Sequence, residues 1–129
     1  MSTRCNIIIK AENGAEILLY HHHDGYPVGV GHDLKFYLSK LRYWYADRIA
    51  TALTKDKAGL NDKEYELTTG IHGDIEYAYV IDCGLRKLTC YATPFCFDSK
   101  VDRSKWKKVA IPDFDIENHI PMYADTYTA

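Results

Sequence analysis

Residues 5–22 read CNIIIKAENGAEILLYHH, two apolar runs on either side of Asn13-Gly14. Both turn residues tolerate the positive φ that a tight hairpin demands, so the pair predicts a reversal of the chain. Cys5, Ile7 and Ile9 alternate onto one side of an extended segment. That pattern predicts a first strand over residues 4–10 and a returning strand over 16–22. Immediately beyond, residues 24–31 (DGYPVGVG) hold three glycines and a proline, which excludes both helix and regular strand there.

Further outward, Leu34, Leu38, Leu41, Tyr45, Ile49 and Ala52 recur at helical spacing and predict one amphipathic helix over about residues 32–54. Phe36, Tyr37, Tyr43 and Trp44 add aromatic surface off that stripe. A polar connector over 55–63 leads to two more strands, 75–82 and 87–93, joined around Cys83-Gly84, with Ile75, Tyr77, Tyr79 and Ile81 on one face. Past Pro94 no period survives, although Ile111, Phe114, Ile116, Ile120 and Met122 are too apolar for free solvent. The expected architecture is a single α+β domain over 1–129: an antiparallel sheet, strand-strand-helix-strand-strand, packed on one long helix. Residues 1–93 form its core, and 94–129 an irregular tail laid on that core or on a partner subunit.

Composition narrows the function classes. The chain has 129 residues, 47% hydrophobic and 26% charged, the balance of a folded domain able to build a core without disulfides or a structural metal. A net charge of −2 argues against gripping duplex nucleic acid or an anionic membrane. No signal-peptide core or membrane span is evident in the sequence, which predicts a cytoplasmic protein. Cys5, Cys83, Cys90 and Cys96 form no C-x-x-C pair and read as thiols that pack. Eleven tyrosines leave aromatic surface for stacking or self-association, so a homo-oligomer is an open expectation.

Several groups invite chemistry. The glycines of 24–31 run into a predicted helix N-terminus, where unpaired N–H groups and the helix dipole favour a phosphate or carboxylate. The loop lacks the Lys-Ser/Thr ending of a P-loop and the full dinucleotide fingerprint, so shaping the helix start is its plainer role. His21, His22, His23 and Asp24 offer metal-type donors, with strand alternation setting His21 and His23 on one face and His22 on the other. Polar surface is the commoner fate of such residues, and neither a metal nor a cofactor is assigned. His22 can serve as an acid or base near neutrality. Asp74 and Glu76 share a strand face in the expected arrangement, more often a solvated face than a catalytic pair. The basic stretch Arg103–Lys108 surrounds Trp106 but is flanked by Asp98, Asp102 and Asp113, and reads as solvated surface.

The segments Ser2-Thr3-Arg4, Tyr20-x-His22-x-Asp24-Gly25-Tyr26-Pro27 and Gly73-Asp74-Ile75-Glu76-Tyr77 resemble a family of small uncharacterised proteins common in tailed phages, prophages and bacterial genomes. The resemblance covers roughly residues 2–93, and the Asp-Gly-Tyr-Pro box is its most specific part. It implies a phage or mobile-element setting, hence host cytoplasm. His22 sits where relatives carry His or Gln; the place of His23 is commonly aromatic.

Within that setting, the leading expectation is a binding protein without turnover that sequesters an anionic, nucleotide-derived ligand such as a host defence signal. The backbone of Gly29 to Gly31 would take phosphate, Arg4 and His22 would add charged donors, and Tyr20 and Tyr26 would stack on a base. Asp24 and Gly25 would shape the loop. The enzyme alternative is a hydrolase or nucleotide-cleaving activity with His22 and a carboxylate from Asp24 or Asp74. A third is inhibition of a host protein through the aromatic helix face at Trp44.

Overall fold

The computed structural model describes residues 2–94 and 101–124; Cys96 and Asp98 lie outside them. Six strands form one sheet: β1 (Cys5–Lys10), β2 (Glu16–His21), β3 (Tyr65–Leu67), β4 (Tyr77–Asp82), β5 (Lys87–Ala92) and β6 (Lys107–Val109), in the order β3-β2-β1-β4-β5-β6. Two helices, α1 (His32–Ser39) and α2 (Ala46–Thr54), belong to the same domain, and a π-helical turn, Pro27–Gly31, leads into α1. The α+β class is as the sequence predicts.

The sheet is mixed where an antiparallel one was expected. β1 pairs parallel to β4, Ile7 opposite Tyr79, and all other pairs are antiparallel. β1 is central, and Ile7, Ile8 and Ile9 are all fully buried. Three consecutive buried aliphatics are what a strand covered on both faces requires. Each contributes roughly 1.5–3 kcal/mol by leaving water.

One face carries Cys5, Ile7, Ile9, Leu19, Tyr79 and Ile81 against Leu34, Leu38, Ile49 and Leu53 of the helices. The other holds a smaller cluster of Tyr20, Ile75 and Ala78 with Trp106. Ile75 was expected to share a face with Tyr79, but β4 begins only at Tyr77. The bend before it carries Ile75 across. Asp74 and Glu76 likewise precede the strand, so they do not form the expected strand pair.

The long helix is broken after Ser39. Ser39 Oγ donates to the Phe36 carbonyl at 2.6 Å, and Lys40 and Leu41 donate three residues back. The carbonyls of Leu41 and Arg42, which a continuous helix would direct to residues 45 and 46, accept from the Arg86 guanidinium at 3.3 and 2.7 Å. Both helices keep an apolar face toward the sheet, which is why a single period spans them.

Over 101–124 the tail is more ordered than an irregular strap. Arg103–Lys105 makes a 3₁₀ turn, Lys107–Val109 is β6, and Ile111, Phe114, Ile116 and Met122 pack on the main core. Polar contacts fasten the rest over the start of α1. His32 Nε2 meets the Pro112 carbonyl at 2.8 Å, His119 Nε2 meets Asp33 at 2.7 Å, and the Met122 N–H donates to Asp33. Cys5, Cys83 and Cys90 are buried free thiols. No helix among the described residues is long and apolar enough to cross a membrane.

Candidate ligand-binding site

The glycine loop closes on itself. Asp24 adopts φ +55°, a left-handed conformation that Asp tolerates better than most residues. The Asp24 carbonyl accepts from Val30 N–H at 2.9 Å, and the Tyr26 carbonyl accepts from Gly29 N–H at 2.9 Å and from Gly31 N–H at 3.5 Å. These amides, assigned to phosphate on the sequence, are engaged within the turn. The glycines meet tight packing: a Cβ on Gly25 would stand 2.9 Å from Cys5 Cβ, one on Gly29 would strike the Asp24 carbonyl, and one on Gly31 would lie 3.3 Å from the Tyr79 ring. Tyr79 in turn donates its hydroxyl to the Gly25 carbonyl at 2.7 Å.

Asp24 accepts from the Tyr26 hydroxyl at 2.9 Å and from the Tyr123 hydroxyl at 2.6 Å. The Tyr123 bond, ahead of smaller opposing and assisting effects, holds the Asp24 carboxyl below its ordinary range. Asp24, Gly25, Tyr26, Gly29 and Gly31 thus belong to a fastening of loop to tail.

Arg4, Tyr20 and His22 come together elsewhere, in an open groove of about 310 Å³ shared with Glu66, Thr68, His72 and Asp74. Tyr20 stacks on His72 with ring centroids 4.1 Å apart and donates to Asp74 at 3.1 Å. Burial, then the Asp74 charge, pushes its phenol up to about 12, so it remains a donor at neutral pH. Arg4 pairs with Asp74 at 3.3 Å, and His22 Nε2 meets Glu66 at 3.1 Å. The expected partners of His22 were Asp24 or Asp74; its hydrogen-bonded carboxylate is Glu66. The groove therefore sets an acid against both Arg4 and His22.

A third region has no such balance. Between α1, the β5 edge and the chain leaving β6 lies a cavity of about 460 Å³, with Leu38, Trp44, Leu88, Val109, Ile111 and Ile116 among its walls. Lys35, Arg86, Lys87 and Lys108 also line it, and among the described residues no Asp or Glu does. Among the described residues none of these four is in an ion pair with a carboxylate.

Arg86 is fixed by the two carbonyls that interrupt the helices, its guanidinium carbon 5.6 Å from the centre of the Trp44 ring. By alternation Lys87 and Lys108 belong to the opposite face, but they flank the open end of the sheet, where four-carbon stems can turn toward the mouth. The indole N–H of Trp44 is buried without an acceptor. Burial pushes the thiol of Cys90, at the cavity, up to about 11, leaving it neutral at physiological pH. Behind Trp44 a separate hollow of about 420 Å³ holds Glu12 and Asp47.

An apolar chamber with a cationic margin suits an amphipathic anion: the walls take a flat ring, the cations take phosphate or carboxylate. None of the residues assigned to the ligand from the sequence lines it, although Gly31 abuts Ile111; Trp44, singled out there as a protein-binding surface, does. Its residues come from four separated segments, 35–44, 86–90, 108–111 and 116. Trp44, and Lys108 in the basic stretch read as solvated surface, are the lining residues the sequence drew attention to for a surface role.

Fold and cavity together define the class as an α+β domain with a six-stranded mixed sheet and a cation-lined pocket at its β5–β6 end. Comparison with family models, curated proteins and solved structures gave no match.

Proposed function

We propose that this chain is a binding protein without turnover that holds an amphipathic anion of nucleotide type in the Trp44 cavity. The supporting observation is the combination of Trp44, an apolar wall, four cations and, among the described residues, no carboxylate in one chamber of a protein whose net charge is −2. A base stacks on the indole or packs on the aliphatic wall while phosphate is drawn to Arg86 and Lys35. In the phage or mobile-element setting suggested by the N-terminal segments, the ligand would be a nucleotide signal of a host defence system, sequestered in the cytoplasm.

The groove at Arg4 is the second reading, favoured by the convergence of Arg4, Tyr20 and His22. Calorimetry with a nucleoside diphosphate, a cyclic dinucleotide and a plain nucleoside separates the two. The leading reading expects saturable binding of a phosphate-bearing probe, weakened about tenfold or more in Arg86→Ala, consistent with loss of a charge-assisted contact, and unchanged in Arg4→Ala. The reverse pattern moves the ligand to the groove. Absence of binding by every probe removes the nucleotide reading. Turnover of a bound probe, lost in His22→Ala, would favour the enzyme alternative.

A further inference from the structure

We propose that His21, Asp62 and Glu64 form a binding site for one first-row divalent cation, separate from the Trp44 cavity. The β2–β3 register sets His21 opposite Tyr65 and so brings the segment just before β3 against the end of β2. One donor atom from each of the three side chains lies within 4.8 Å of the others. His21 Nε2 and Asp62 Oδ2 are 2.8 Å apart, and both side chains are fully buried. Glu64 is 28% exposed and opens the cluster to solvent, giving an ion a way in.

Each donor is already oriented. The other Asp62 oxygen accepts from the Glu64 N–H at 2.9 Å. Glu64 is held by His23 Nδ1 at 3.0 Å. Outer contacts of this kind fix the direction of metal ligands. One imidazole and two carboxylates suit Mn²⁺, Fe²⁺ or Zn²⁺ better than a soft thiophilic ion. The triad differs from the one alternation alone suggests: His23 and Asp24 support, while Asp62 and Glu64 supply the carboxylates.

An independent observation points the same way. Tyr65 is 2% exposed, stands edge-on to the His21 ring at 4.5 Å, and its hydroxyl has no hydrogen-bond partner. Unmet buried polar groups are costly, and a water carried by an ion at the triad would give the Tyr65 hydroxyl a partner.

Mn²⁺ itself is the probe. The full chain is stripped with a chelator, and free Mn²⁺ is followed by its paramagnetic resonance signal during titration. The expected result is one Mn²⁺ per chain, with affinity reduced about tenfold or more in Glu64→Gln. Glu64 is the chosen site because it is partly exposed, and circular dichroism verifies that the variant folds. A thermal melt gives a second readout, with Mn²⁺ raising Tm in the native chain and not in the variant. No uptake by folded protein at about millimolar Mn²⁺, a very weak affinity, overturns the proposal. Uptake unaltered in Glu64→Gln overturns it equally.

Discussion

His21 and His22 adjoin at the end of β2, yet the sheet puts the first side chain at 0% exposure against Asp62 and leaves the second 42% exposed beside Glu66. Both are imidazole–carboxylate contacts of similar length. They differ in what water can do. At His22, solvent competes with and screens the pair, and either partner can be hydrated when the other leaves. At His21 no hydration is at hand, so each partner is the principal means of satisfying the other. The same contrast separates the glycine loop, whose amides are enclosed by tail and turn, from the Trp44 chamber, whose cations are in no ion pair among the described residues.

The comparison breaks most readily at its buried end. Asp62→Ala leaves the buried His21 without its hydrogen-bond partner, and a loss of about 1–3 kcal/mol in urea unfolding is expected; a loss below about 0.5 kcal/mol would place that pair with surface pairs. Gly25→Ala comes next. Its new Cβ meets Cys5 Cβ at 2.9 Å, and overpacking of that kind costs about 1–3 kcal/mol, read as a lower urea midpoint.

Tyr123→Phe removes one hydroxyl from Asp24 and should cost about 1 kcal/mol. Because the native carboxyl is held low, its bond stabilises the fold above the ordinary Asp range and fades as pH falls through the lowered value. The difference between native and variant therefore shrinks in acid, and carbon NMR should show the Asp24 carboxyl moving up in the variant. The smallest effects belong to the groove: His22→Ala and Arg4→Ala are each expected to change stability by about 0.5 kcal/mol or less, while a larger change would show that the groove supports the fold.

Local features of the chain were legible in the sequence. Asn13-Gly14 marks the hairpin because the demand is local, although only Gly14 takes a positive φ, +89°, while Asn13 serves by accepting from the Ala15 N–H through its side chain. Phase in the 32–54 stretch was legible too, but not the break: it depends on Arg86, more than 40 positions away, capturing carbonyls from the helix connection. β3 has three residues, of which only Tyr65 is buried, too little to make a pattern. The parallel β1–β4 pairing joins segments about 70 residues apart, and no local residue choice encodes it. Candidate site residues fared according to the same rule. Alternation correctly separates His22 from its neighbours, whereas assembling a cavity from four chain segments requires the fold.

Trp44 offers the most direct measurement, because the chain contains only one other tryptophan, Trp106. In Trp106→Phe protein all indole fluorescence comes from the cavity wall, and titration with a phosphate-bearing nucleotide should quench or shift it saturably, less so at high salt, where charge contacts are screened. The parent nucleoside should do markedly less. A flat Trp44 signal throughout, with the nucleotide bound by calorimetry at the same concentrations, would contradict the assignment of the ligand to this cavity.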